Sequence, residues 1–207
     1  MNKVEENKQK FLQLLDGIER KGLEKLVDYL ENNTDFFTAP ASTMFHGNYE
    51  GGLCEHSLNV YKLFNKKNID YNLGLEEESV KIMALFHDIC KVNCYKQSTR
   101  NRKIDGKWVA LPWYDFEDTL PYGHGEKSVW MLEKFIRLKT NEAMSIRWHM
   151  GLSMEQDQRT ISKAFDTYAE AVCLHTADLE GSKLLERTID YEEEYKLKHG
   201  IQSKMNI

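Results

Sequence analysis

The chain has 207 residues, 41% hydrophobic and 29% charged, with a formal net charge of −5. That balance fits one soluble globular domain, or one domain with a small appendage. No apolar run reaches the roughly 18 residues a membrane helix needs, and the opening MNKVEENKQK has no apolar stretch of the signal-peptide kind. The negative charge excludes a chain-wide basic footprint for duplex DNA. Cys54, Cys90, Cys94 and Cys173 form no C-x2-C pair, so they read as reduced, buried thiols of a cytoplasmic protein.

In chain order, residues 4–30 put Phe11, Leu14, Leu15, Ile18, Leu23, Leu26 and Leu30 at helical spacing, with a break near Gly22. Residues 32–52, punctuated by Pro40 and Gly51-Gly52, read as loop. Helix resumes over 53–67, where Leu53, Val60 and Phe64 share a face with His56. After a turn at 70–74, residues 76–90 form a further helix. Its three leading glutamates suit the positive end of the helix dipole, and His87 lies on or beside its inner face.

Segment 91–123 changes character. Lys91, Lys96, Arg100, Arg102, Lys103 and Lys107 face a single acid, Asp105, between residues 91 and 107. Asp105-Gly106 reads as the turn of a β-hairpin. Trp108, Trp113, Tyr114, Phe116 and Tyr122 follow, while Pro112 and Pro121 favour loop on either side. Helices are expected again over 126–139 and 141–150, with His124 in a glycine-flanked turn before them. One long helix is expected over 159–187, with Ala171, Leu174, Asp178, Gly181 and Leu185 on one stripe. From Tyr191 the chain is polar and reads as a solvated helix end.

A charge on an apolar face is costly unless it is paired or bound to a metal. His56, His87, Asp88, His124, His149 and Asp178 each have an ordinary explanation as a packed histidine or a hydrogen-bonded carboxylate. As a set, four histidines and two aspartates spread over several helices suit a divalent-metal site with nitrogen and oxygen ligands.

Their order is a His, an adjacent His-Asp, two further histidines and a late Asp. It resembles that of the HD-domain metal-dependent phosphohydrolases. GGLCEHSLNV, residues 51–60, is similar to that family's first ligand helix, and HDICK, residues 87–91, to its HD-x-x-K form. The resemblance implies an all-α fold, an HD helical bundle with a small β-hairpin or loop insertion at about 91–123. The bundle would span 51–187, with an N-terminal helix and loop (1–50) packed on it and a polar tail over 188–207.

It also implies two divalent ions per chain, drawn from Mn, Fe, Co, Ni, Zn or Mg. His56, His87, Asp88 and Asp178 would hold the first. His124 and His149 would hold the second, with Asp88 bridging. Asp88 and Lys91 are the expected catalytic residues, with Lys91 at the phosphate and a metal-activated hydroxide as nucleophile. His46 is placed at a pocket edge or surface, His175 as a packing residue or a support behind the metals, and His199 without a role.

On the basic hairpin, Lys96, Arg100, Arg102 and Lys103 would meet phosphates, and Trp108, Trp113 or Tyr114 would stack on a base. The expected substrate is therefore a nucleotide or short oligonucleotide, with neither duplex DNA nor a membrane as partner and the oligomeric state open. The cyclic-dinucleotide branch of the family carries a GYP motif that this chain lacks. The exoribonuclease branch is similar at 51–60 and at the His124/His149 pair, but its strand-binding OB-fold does not fit within the first 50 residues. A non-catalytic nucleotide-binding HD module and a di-iron oxygenase of HD type are the alternative readings.

Overall fold

A computed structural model describes residues 2–153 and 158–201. Helix α1 (Lys3–Leu15) is capped by the Asn2 side chain, which accepts the Glu5 amide at 2.9 Å. Helix α2 (Leu23–Asn32) follows Gly22, whose φ of +90° favours glycine. The break expected near Gly22 spans residues 16–22 and divides the segment into two helices. Phe11 of α1 meets Phe36, Phe37 and Phe86 with ring centroids 5.1, 5.5 and 5.6 Å apart. Each such fully buried side chain is worth about 1.5–3 kcal/mol, so the N-terminal segment is part of the core.

Helix α3 (Gly52–Asp70) packs against α4 (Glu77–Phe86) and α8 (Ala169–Glu180), and α6 (Thr140–Trp148) packs on α4, α5 (His124–Leu132) and α8. α4 is buried from Ser79 to Phe86 and forms the centre of the bundle. It stops at Phe86, four residues short of the expected end. A 3-10 turn over Ile89–Lys91 replaces the last helical turn, with the Lys91 amide donating to the Asp88 carbonyl at 3.0 Å.

The hairpin is β1 (Tyr95–Ile104) and β2 (Lys107–Phe116), paired antiparallel from Tyr95↔Phe116 to Ile104↔Lys107. Asp105 and Gly106 both have positive φ, +48° and +78°, as a two-residue primed turn requires. Pro112 does not interrupt β2. In a two-stranded ribbon every strand is an edge, and an edge tolerates a residue without an amide proton.

α5 begins at His124 itself, so this histidine opens a helix rather than sitting in a turn before one, and α5 ends at Leu132, well before residue 139. Gly125 lets α5 lie against α6: a Cβ there would be 2.2 Å from the Arg147 carbonyl oxygen. Gly125→Ala is therefore expected to lower the melting temperature by roughly 5 °C, since overpacking of this kind costs about 1–3 kcal/mol. Scanning calorimetry checks this, and an unchanged transition would show that α5 and α6 separate at no cost.

The long helix expected over 159–187 is three segments. They are α7 (Gln158–Thr167), α8 after extended backbone at Tyr168, and a π-helical turn over Gly181–Leu185. Leu185 is 48% exposed and leaves the apolar stripe. Helix α9 (Tyr191–Lys198) is capped by Asp190 and has no buried residue. The tail residues 202–207 and the segment 154–157 lie outside the described residues. All four cysteines are buried and unbridged. Among the described residues no helix is long and apolar enough to cross a membrane.

Candidate metal centre

The six singled-out His and Asp side chains come together where α3, the end of α4, α5, α6 and α8 converge. His56, His87 and His149 are fully buried and Asp88 is 2% exposed. Two of the rings are fixed by the same local device. The Nδ1 of His87 lies 2.8 Å from the Ala84 carbonyl and that of His149 lies 2.7 Å from the Ile146 carbonyl, each three residues back at a helix end. Donation there commits the proton to Nδ1 and turns the Nε2 lone pair inward.

The inward atoms form two adjoining groups. His56 Nε2 lies 3.1 Å from His87 Nε2, 3.1 Å from Asp178 Oδ1 and 3.5 Å from Asp88 Oδ2. Asp88 Oδ1 lies 2.7 Å from His124 Nε2 and 3.4 Å from His149 Nε2. Neighbouring ligands about 2.1 Å from one ion lie roughly 3 Å apart, so both groups have the spacing of a coordination sphere. His149 Nε2 is buried without a hydrogen-bond partner. An orphaned acceptor is costly unless a cation meets it, and the donor set fits a divalent ion in either group.

The two oxygens of Asp88 point to different groups, because the residue sits at the break between α4 and the 3-10 turn. Burial alone would raise the Asp88 pKa. The Lys91 ammonium foremost, with a hydrogen bond from His124, overcomes it and holds the carboxyl well below its ordinary value. Burial lowers the His87 pKa to about 3, and so keeps that ring neutral. Burial also opposes charge on His56, but the Asp178 and Glu186 carboxylates prevail and hold it near 10. Positive charge is thus favoured where His56 meets Asp178, which a metal ion would supply. Cys90 lies within reach of Asp88 and His124, but burial pushes its thiol up to about 12, which disfavours it as a ligand.

Lys91 Nζ donates to Asp88 Oδ2 at 2.7 Å and to the Ala41 carbonyl at 3.0 Å. It borders a cavity of about 530 Å³ whose walls include Asp88, His124 and Asp178. Of the hairpin, only Tyr95 and Phe116 reach this cavity. Lys96 pairs with Glu117. Arg100, Arg102 and Trp113 line a second cavity, while Tyr114 is buried and lines neither. Lys103 pairs across the ribbon with Trp108, on the face opposite Arg102, since successive residues alternate.

Glu186 has no forerunner in the sequence reading. It lies 2.9 Å from His56 Nδ1 and 2.6 Å from His46 Nδ1, and its side chain is 1% exposed. Burial would raise its pKa, but hydrogen bonds from His46 and then His56 hold it at about 2. The π turn after α8 carries it there, and such turns recur at functional sites. His175 Nδ1 lies 2.7 Å from the His149 carbonyl, behind the second group, and its ring borders the cavity.

Residues 53–197, which run from the start of α3 into α9 and contain the six clustered His and Asp side chains, Lys91 and Glu186, match the family model of the HD domain. No curated protein and no solved structure is significantly similar to the chain. Its helical bundle, its clustered His and Asp side chains and the extent of that match agree: the chain belongs to the HD domain family, which consists largely of metal-dependent hydrolases.

Proposed function

We propose that the chain is a metal-dependent phosphohydrolase that cleaves a phosphoester bond of a nucleotide or short oligonucleotide. The observation that carries this reading is the convergence of four imidazole nitrogens, those of His56, His87, His124 and His149, on the two oxygens of one buried carboxylate, Asp88. His56, His87, Asp88 and Asp178 would hold one divalent ion, and Asp88, His124 and His149 a second. Mn, Fe, Co, Ni, Zn and Mg all suit such ligands. When bound, the ions supply Lewis acidity and neutralise charge at a phosphoryl group.

The chain's own residues set the rest. Burial would discharge Lys91, but the Asp88 carboxylate raises its pKa and keeps the ammonium charged beside the cavity. That charge favours a bound phosphate and the oxygen that departs from it. Glu186 orients His56 through Nδ1, as the Ala84 and Ile146 carbonyls orient His87 and His149. Phe45 and Phe116, 60% and 53% exposed, border the same cavity and offer apolar surface to a base.

Elemental analysis of the protein reconstituted with manganese is expected to find close to two ions per chain, with hydrolysis of bis(p-nitrophenyl) phosphate. His124→Ala and His149→Ala should each reduce this to one ion while the far-ultraviolet dichroism stays the same. Two ions retained in both variants would rule out the second group as a metal site. Two ions without hydrolysis of any phosphoester would favour the oxygenase reading.

A further inference from the structure

The second cavity, about 320 Å³, is separate from the metal cavity but adjoins it through Thr43, which lines both. Arg100 and Arg102 project into it from one face of β1, with Trp113 from β2. Neither guanidinium has a carboxylate partner among the described residues, although the Arg100 guanidinium lies 4.8 Å from the Trp113 ring centroid. The facing wall is built rather than loose. Asn48 exchanges hydrogen bonds with the amide and carbonyl of Ile189 at 2.7 and 2.9 Å, and the Tyr191 hydroxyl donates to the Asn48 carbonyl at 2.9 Å.

Two acids border this cavity, and both are engaged elsewhere. Asp190 accepts the Glu192 and Glu193 amides at 3.0 Å, and Glu192 pairs with Lys196 at 2.9 Å. The net character is two cations with no carboxylate partner among the described residues, beside an indole, in a chain that is acidic overall. A phosphate and a planar ring are what such a pair receives, and the volume suits one small-ligand unit. A single nucleotide occupying the metal cavity leaves this second set unused, whereas a strand repeats phosphate and base at each step.

We infer that the second cavity is a subsite for the neighbouring unit of a single-stranded oligonucleotide, so that the substrate spans both cavities across Thr43. The inference rests on the phosphohydrolase reading for its direction, but it can be tested by binding alone. Arg100 and Arg102 are specificity residues here, removed from the reacting bond.

The probe is a fluorescein-labelled phosphorothioate trinucleotide, which resists cleavage, compared with the labelled mononucleotide on manganese-loaded full-length protein. The wild type should prefer the trinucleotide by about tenfold or more, the size of one or two charge-assisted contacts. In Arg100→Ala/Arg102→Ala that preference should collapse. Lys62→Ala/Lys66→Ala, which removes the same charge from residues lining neither cavity, sets the effect of net charge. A preference that survives the arginine substitutions, or falls equally with the lysine pair, overturns the subsite. Failure to hydrolyse the unmodified trinucleotide would instead count against the phosphohydrolase reading, and leaves the length preference to decide the subsite.

Discussion

Asp88→Ala is expected to empty both metal groups at once and to reduce phosphodiester hydrolysis by about a thousandfold or more, since no other carboxylate among the described residues serves both groups. The geometry makes the effect larger than at any single histidine. Oδ1 faces His124 and His149, and Oδ2 faces His56, His87 and Lys91. Removing it leaves Lys91, His87, His124 and His149 without their carboxylate, while Asp178 and Glu186 balance only His56, and uncompensated buried charge is costly. Mass spectrometry of the native protein and elemental analysis would read the ion count, and bis(p-nitrophenyl) phosphate the rate. Two ions and activity within about tenfold of wild type would sink the shared-carboxylate centre. Asp88→Asn separates charge from size. It is expected to lose the ions while holding the apo fold closer to wild type, because the amide fills the same volume.

His56, His87 and Asp178 are legible in the sequence because each falls on an apolar helical face, whereas Asp88, His124 and His149 join them through an order of residues that resembles the HD-domain family's. The hairpin is legible for a local reason too: Asp105 and Gly106 are residue types that accept positive φ side by side. What the sequence conceals is set by partners far along the chain. α4 stops at Phe86 although 87–90 continues its apolar pattern, and periodicity does not encode the 3-10 turn that follows. The break at Tyr168 and the π turn at 181–185 interrupt a stripe that reads as one helix. Glu186 is invisible for that reason. An unbroken helix gives it no special face, and only the π turn swings it onto His46 and His56.

The basic hairpin shows the same division between local and distant information. Its charge and its aromatic residues are plain in the sequence, but which of them share a cavity depends on strand register. Pairing of Arg100 with Leu111 and of Arg102 with Val109 puts both arginines on one face, and Lys103 with Trp108 on the other. The sequence reading grouped Arg100, Arg102 and Lys103 together near the metals. The wall formed by residues 188–192 and Asn48 makes the arginine face into a cavity of its own.

Glu142→Ala is expected to destabilise the fold by about 2–3 kcal/mol, or roughly 5–10 °C in melting temperature: Arg20 keeps Glu78 but loses its buried carboxylate, and the Ser79 hydroxyl and Lys139 amide lose their acceptor. Glu142 is fully buried on α6. It accepts both terminal nitrogens of Arg20 at 3.0 and 2.9 Å, the Ser79 hydroxyl at 2.7 Å and the Lys139 amide at 2.8 Å. It thus ties the segment between α1 and α2 to α4 and α6, and nothing in the local sequence announces a pair 122 residues apart. Burial would raise the Glu142 pKa, but the Arg20 guanidinium foremost, with the Lys139 amide and Ser79 hydroxyl, holds it below the ordinary value of 4.5. The sign follows from linkage: a depressed carboxyl contributes fully above its unfolded pKa, and its contribution fades as pH falls through the folded one. Arg20 stays protonated throughout, since its own pKa is raised. Urea unfolding of wild type and Glu142→Gln should therefore differ most near pH 7 and converge as pH drops below about 4.5. A gap that is constant across that range would show that the carboxylate charge contributes nothing, and that Glu142 acts only through its shape and its neutral hydrogen bonds.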